Sequence, residues 1–360
     1  MSPAYIVVLL VIVIMGHLAE ANPKTHLLRD GNYVLLPDTG AVVILSCVLI
    51  LVSGLRYRVG TDYMAYYNNR VTDFRVVWNS LIAFKEPGIK LLSFLSHLIY
   101  NDGESLIFLS ALITVGLYCW TIYRHHAMYL LSMLLYLFLG EWQGSFNGVR
   151  QYLAAAILFA GHRLILERKL WQYCLIVFAA SLFHTTAIVM LLPYFLFSRK
   201  PDIPQLVLLT IGAVIIRFSY DFIFNLIGAY KGSIMNLQGD SYYTNDVNFF
   251  RILVAFIPVA IYFILCNKEG HTKEQDFYIN AAFFNAFAML AGMGSTYLAR
   301  IGIYTGAALT IGYGHVFHLI DDDKTRKITM YAAMIVYFLY WVYSLQRPSL
   351  RTYRWIFDIA

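Results

Sequence analysis

The chain has 360 residues, of which 59% are hydrophobic and only 13% charged, against about 25% charged in an ordinary soluble domain. That composition excludes a soluble globular enzyme and points to a polytopic membrane protein. The formal charge of +6 does not indicate nucleic acid, because the basic residues are scattered through short loops between apolar runs, as the positive-inside bias distributes them.

Apolar runs near the length of a hydrocarbon crossing, roughly 17 to 25 residues, recur along the whole chain. They predict one all-α integral-membrane domain over residues 1–360, with about ten to twelve spans. The first run, residues 4–19, ends small-x-small at Ala19 and Ala21 like a secretory leader, but lacks a basic start. With Lys24 and Arg29 behind it, it is expected to be an uncleaved span with its N-terminus outside. Further spans are expected over residues 40–55, 104–123, 127–141, 150–166, 171–197, 204–219, 249–266, 277–293, 300–320 and 328–345. The run 171–197 is too long for one upright helix. Phe183-His184-Thr185-Thr186 in its middle predicts either two short helices meeting at a polar break or one tilted helix.

Residues 55–86 carry Arg56, Arg58, Arg70, Arg75 and Lys85, which by charge alone would lie inside. Reading residues 86–101 as a short re-entrant or interfacial helix, entered through Pro87-Gly88, instead keeps this segment on the side of Arg150. Tyr57 to Asp62, Arg150, His184 and Arg300 then share an extracytoplasmic face, with Arg168-Lys169 and Asp321 to Lys327 inside. Cys47, Cys119, Cys174 and Cys266 lie in or at the ends of apolar runs without CxxC spacing, so neither disulfides nor zinc are expected.

One arginine at a membrane boundary can simply snorkel to the headgroups. The arginines of this face form a set. Arg58 sits in RVGTDY, where Gly60 frees the backbone and Asp62 offers a carboxylate for a salt bridge. Arg150 follows Asn147-Gly148 and opens an apolar helix, and Arg300 does the same after Gly292, Gly294 and Ser295. Cations at helix N-termini, with a fork that matches phosphate oxygens, point to a membrane-borne phosphate or diphosphate. The candidate proton acceptors are Asp62, Glu86 and His184. Their plainer readings are an Arg58 partner, a helix cap and a hydrogen-bonded core histidine. With an unperturbed pKa of about 6.5, His184 matches neutral pH best. His315 and His318 before Asp321-Asp322-Asp323 only superficially suggest a metal site. Tyr and Phe number 28 and 25, so some aromatics are expected to line cavities, and SYYTNDVNFF (Ser241 to Phe250) is a candidate wall for sugar or polyprenyl chain.

The strings GLRYRVGTDYMAYY, EPGIKLL, FNGVRQYLAAAILFAGHRLILERK, FAASLFHTTAIVMLLP and ARIGIYTGAAL resemble, in that order, the EpsG family of bacterial polysaccharide polymerases, relatives of the O-antigen polymerase Wzy. The resemblance implies a GT-C-like glycosyltransferase in the bacterial inner membrane, with its active site facing the periplasm. Its substrates would be undecaprenyl-diphosphate-linked oligosaccharides, as donor and as acceptor. The growing glycan would pass onto the non-reducing end of the next lipid-linked repeat unit. No cofactor or metal is implied, and a chain-length regulator is the expected protein partner, alongside membrane lipids. On the matching positions the resemblance implies Arg56, Arg58 and Asp62 after the second span, Arg150 and His184 in the central motifs, and Arg300 with Tyr304 in the last; Tyr63, Asn147 and Gln151 as binding residues and Glu86 as a proton acceptor complete the candidate site. The two large periplasmic loops of many Wzy proteins are missing; the longest polar outer segments are 56–86 and 220–248. A lipid-linked oligosaccharide transporter and a membrane acyltransferase are the rival functions, distinguished by whether free undecaprenyl diphosphate is released.

Overall fold

The computed structural model describes residues 2–27, 33–197, 199–230, 249–293 and 296–359. The expected polar segment around Ser241, apart from Phe249 and Phe250, and Gly294-Ser295 ahead of Arg300 lie outside the described residues. The chain is nearly all-α and divides into two compact units, residues 1–191 with 330–360, and residues 192–329.

The first unit starts with α1 (Pro3–Ala21), whose buried stripe of Tyr5, Val8, Ile12, Gly16 and Ala19 recurs at helical spacing. Its other faces leave Ile6, Leu10 and Ile14 exposed, which suits contact with lipid. An antiparallel hairpin follows, β1 (Lys24–Leu27) and β2 (Tyr33–Leu36), with Lys24 opposite Leu36. Alternation over four residues was too brief to predict it. Asp38 then caps α2 (Thr39–Gly54) by accepting from the Ala41 amide at 3.0 Å, and Lys24 pairs with the same carboxylate.

Residues 55–86, expected as a polar segment, contain two helices, α3 (Tyr63–Asn68) and α4 (Phe74–Ile82). Next comes α5 (Pro87–Ile99), with proline at its first turn as the sequence predicts. Its 13 residues span about 20 Å, short of a hydrocarbon core of about 30 Å. Asp102 caps α6 (Gly103–His125), and Arg124 in its last turn lies where the helix dipole favours a cation. Then follow α7 (Tyr129–Phe138), α8 (Glu141–Gly144), α9 (Val149–Ala160), α10 (Arg163–Leu166) and α11 (Leu170–Ser181). The long run 171–197 is broken: α11 stops, Leu182 to His184 turn, and a 3-10 helix (Thr185–Met190) leads into Leu191–Leu196. A polar break between short helices is therefore the outcome, and His184 stands in it.

In this unit α6 is the central pillar, packed by α2, α3, α5 and α9, while α11 lies on α9. Ile89 and Leu92 of α5, Leu106 of α6 and Leu153 of α9 form one buried apolar cluster, flanked by Tyr66 and Phe183. It fixes the ends of these helices around a common surface.

The C-terminal residues return to this unit. Tyr57 and Gly60 donate their amides to the carbonyls of Arg354 and Ser349 at 2.9 and 3.0 Å, and Ile356 donates to Leu55 at 3.0 Å. Arg56 and Trp355 form an antiparallel bridge. The Tyr353 hydroxyl bonds the Val52 carbonyl and that of Tyr5 bonds the Leu350 carbonyl. The tail is thus a strap across the exit of α2.

In the second unit, the helix Lys273–Ala291 packs against Gly302–Phe317, Phe249–Leu265 and Ile203–Tyr230. It starts with a full capping box between Thr272 and Gln275. Its buried polar side chains are paired: Asn280 binds the carbonyls of Phe197 and Arg199 and the Gln205 amide, and Asn285 binds the Gly302 carbonyl. Such pairing offsets the cost of taking polar groups out of water. Among the described residues, two helices are long and apolar enough to cross a membrane, Pro3–Ala21 and Gly103–His125. Of the other expected spans, 204–219, 277–293 and 328–345 fall on the longer helices Ile203–Tyr230, Lys273–Ala291 and Asp323–Ser344, and the rest appear as shorter or broken helices.

Candidate functional site

The exit of α2 is built by close approach. Gly60 has φ +102°, and a Cβ there would collide with the Phe146 carbonyl, so only glycine lets this loop lie against the turn before α9. From that turn the Asn147 side-chain oxygen accepts from the Thr61 amide at 2.7 Å and from its hydroxyl at 3.2 Å. Asn147 is therefore a clamp between two loops that the sequence separates by 86 positions.

Within this loop the arginines divide. Arg56 is 3% exposed; its guanidinium donates to the carbonyls of Ser53 and Val59 and lies over the Phe146 ring at 4.6 Å. That geometry holds the loop from inside. Arg58, at φ +54°, is exposed and lies over the Tyr57 ring at 5.2 Å. The expected Arg58–Asp62 salt bridge does not form. The left-handed turn at Arg58 and Gly60 sends the cation to the surface, while Asp62 takes the Thr61 hydroxyl at 3.1 Å and heads α3. Tyr63 is buried, edge-on to Tyr57 and stacked on Tyr67.

A second assembly lies at the N-terminus of α5. Glu86 adopts φ +51°, a left-handed conformation that costs a non-glycine residue on the order of 1–3 kcal/mol and is tolerated where surrounding contacts impose it. Here the contacts are explicit. The Gly88 amide donates to the Leu182 carbonyl at 2.9 Å, docking α5 onto the break after α11. This places the Glu86 carboxylate between two cationic or ionisable partners. One oxygen accepts from Nδ1 of His184 at 2.8 Å and from the Thr185 amide at 3.3 Å; the other is ion-paired with Nη1 of Arg150. The Arg150 Nε donates to the Tyr66 hydroxyl at 3.1 Å. The helix-cap reading of Glu86 fails, since its side chain makes no cap bond to α5.

The electrostatics follow from these bonds. Burial pushes the Glu86 carboxyl up, but the His184 hydrogen bond and the Arg150 charge outweigh it and hold it below its ordinary range. An ionised carboxylate only accepts, so Nδ1 of His184 carries the proton. In the neutral ring Nε2 is then the acceptor. Burial pushes the Tyr66 phenol up, keeping it protonated. The Glu86 and His184 side chains are 13% and 19% exposed, and Arg150 is 45% exposed. The described partners of Arg150 engage Nε and Nη1, leaving Nη2 for another ligand.

The first unit thus brings Glu86, Arg150 and His184 together and joins Asn147 to the Asp62 loop. Gln151 is buried beside Arg150 in sequence. Arg300 and Tyr304 belong to the second unit, Arg300 half-buried and Tyr304 buried. Sequence reasoning missed Tyr66 and Thr185. Tyr66 stands one helical turn after Asp62, so recognising α3 would have put both on one face. Among the described residues no three His, Cys, Asp or Glu side chains gather as a metal site, and the four cysteines are free. His315 instead stacks on Tyr278 at 4.7 Å.

A family model described as the EpsG family matches residues 41–356. No curated protein and no solved structure matches the chain.

Proposed function

The chain belongs to the EpsG family, and on that footing we propose that it is a polysaccharide polymerase whose reaction centre is the Arg150–Glu86–His184 assembly. The family includes Wzy-like polymerases, and the chain is a membrane protein of that family. The donor is a glycan on undecaprenyl diphosphate, the acceptor the next lipid-linked repeat unit, and the reaction takes place on the extracytoplasmic side of the inner membrane. Single displacement makes it an inverting transfer of the GT-C kind.

The observation that carries the reading is the carboxylate-imidazole pair. Glu86 fixes the His184 ring with Nε2 directed away from the bond, so Nε2 takes the proton of the acceptor hydroxyl as its oxygen attacks the anomeric carbon. The bond from that carbon to the diphosphate oxygen breaks, and its electron pair leaves with undecaprenyl diphosphate. Exposed Arg58 and the remaining donor of Arg150 stabilise the developing charge. Because arginine meets that charge, the transfer proceeds without a divalent metal. Asp62 and Asn147 shape the adjoining loop for the acceptor.

The test is reconstitution of the purified protein with a lipid-linked repeat unit, in the presence of EDTA. Longer glycan together with free undecaprenyl diphosphate supports polymerisation; glycan movement without diphosphate release is the outcome of a transporter and sinks the proposal. In the same assay His184→Ala should bind the substrate yet form no product, whereas near wild-type turnover returns His184 to a structural role.

A further inference from the structure

A groove of about 780 Å³ opens on the first unit between β2, the end of α6 and the corner joining α9, α10 and α11. It is separate from the reaction centre: Arg150 opens α9, whereas the groove is lined by the last turns of the same helix. Its size is within the roughly 300–1,000 Å³ of ligand sites.

The groove has two chemistries. Its wall is apolar, made by Leu117 and Trp120 of α6, Ile157 of α9 and Ile176 of α11. Trp120 is 50% exposed and sits near the end of α6, a helix long and apolar enough to cross a hydrocarbon core, where tryptophan is favoured at the headgroup level. Gly161 lets this corner close, since a Cβ there would run into Ile176. The rim is cationic. Arg124, one turn past Trp120, and Arg163 both line it, against one acid, Glu167. Glu167 is itself approached by Lys169 at 2.7 Å and by Arg163 at 3.9 Å.

We infer that this groove holds a resident anionic phospholipid, with an acyl chain along the Trp120 wall and the phosphate at Arg124 and Arg163. A basic rim over an apolar cleft at the end of a crossing helix is the complement of that one molecule, because neither half alone satisfies both surfaces. A zwitterionic lipid fills the wall equally well but adds a cation to a rim that already has an excess of them. The site is independent of the transfer reaction, so it stands or falls apart from the polymerase proposal.

The experiment is native mass spectrometry and thermal melting of the delipidated full-length protein, titrated with phosphatidylglycerol, phosphatidylcholine and undecaprenyl phosphate. Phosphatidylglycerol should bind preferentially and raise the melting temperature. Arg124→Gln and Arg163→Gln should each weaken it about fivefold, which is ~1 kcal/mol per arginine. Glu167→Gln should act in the opposite direction, tightening phosphatidylglycerol by removing a negative charge from the rim. Equal binding of phosphatidylcholine, an unchanged preference in folded arginine variants, or displacement by undecaprenyl phosphate at lower concentration would each overturn the assignment. If the arginine variants fail to fold, Glu167→Gln decides alone: unchanged or weaker phosphatidylglycerol binding refutes the site.

Discussion

The Glu86 carboxylate accepts a hydrogen bond from Nδ1 of His184 at 2.8 Å, across 98 positions of sequence. Two features bring them together, the left-handed backbone at Glu86 and the break that ends α11. Removing either partner should therefore act on chemistry before it acts on folding.

Glu86→Gln presents an amide where Nδ1–H needs an acceptor and Arg150 needs an anion. Because an oriented general base contributes about 10²- to 10⁴-fold, polymerisation by this variant should fall within that range at matched expression. Retained turnover within a few-fold of wild type would show that the imidazole needs no carboxylate.

Arg150 uses its fork to bridge Glu86 and the Tyr66 hydroxyl. A lysine reaches one partner but not both, so Arg150→Lys should lose about a hundredfold in rate although charge is kept. Tyr66→Phe removes a single hydrogen bond to a charged group and should cost about tenfold. The order of the two effects is the check: Tyr66→Phe more damaging than Arg150→Lys contradicts the fork.

Acid should weaken the fold through Glu86. Its folded carboxyl lies below the ordinary 4.5, so the folded protein holds this proton less tightly than the unfolded chain. The stabilisation is complete above pH about 4.5 and is lost as pH falls through the lowered folded value. Melting of wild type minus that of Glu86→Gln, followed from neutral pH to about pH 3.5, should therefore be flat at first and then shrink. A difference that grows on acidification is the opposite sign and excludes the ionised pair.

Gly60→Ala should break the α2 exit. The positive φ and the nearby Phe146 carbonyl together cost on the order of 1–3 kcal/mol, seen as a lower melting temperature and lost activity. Wild-type melting in this variant would mean that the loop does not rest on the Asn147 turn.

Much of the helical order was legible because apolar runs with caps are local signals. Pro87 at the head of α5 and the interruption at His184 both appear at their expected places. The site was legible only as a set of residue types. Glu86 looked like a helix cap, because nothing local records that α5 docks on Leu182. Arg58 and Asp62 looked like partners through nearness in sequence, and the positive φ at Arg58 turned them apart. The hairpin and the C-terminal strap depend on pairing between segments whose own patterns are too short to read.

The strap also sets a condition on synthesis and topology. Val52 and Tyr353, joined by a hydrogen bond, are 301 positions apart, so at about 5–20 residues per second the loop after α2 waits roughly 15 to 60 seconds for its partner to be made. Bonded backbone segments must also share one side of the bilayer, which requires an even number of crossings between Arg56 and Ser349. A reporter fused behind Ala360 should therefore read the same compartment as one inserted near Arg58.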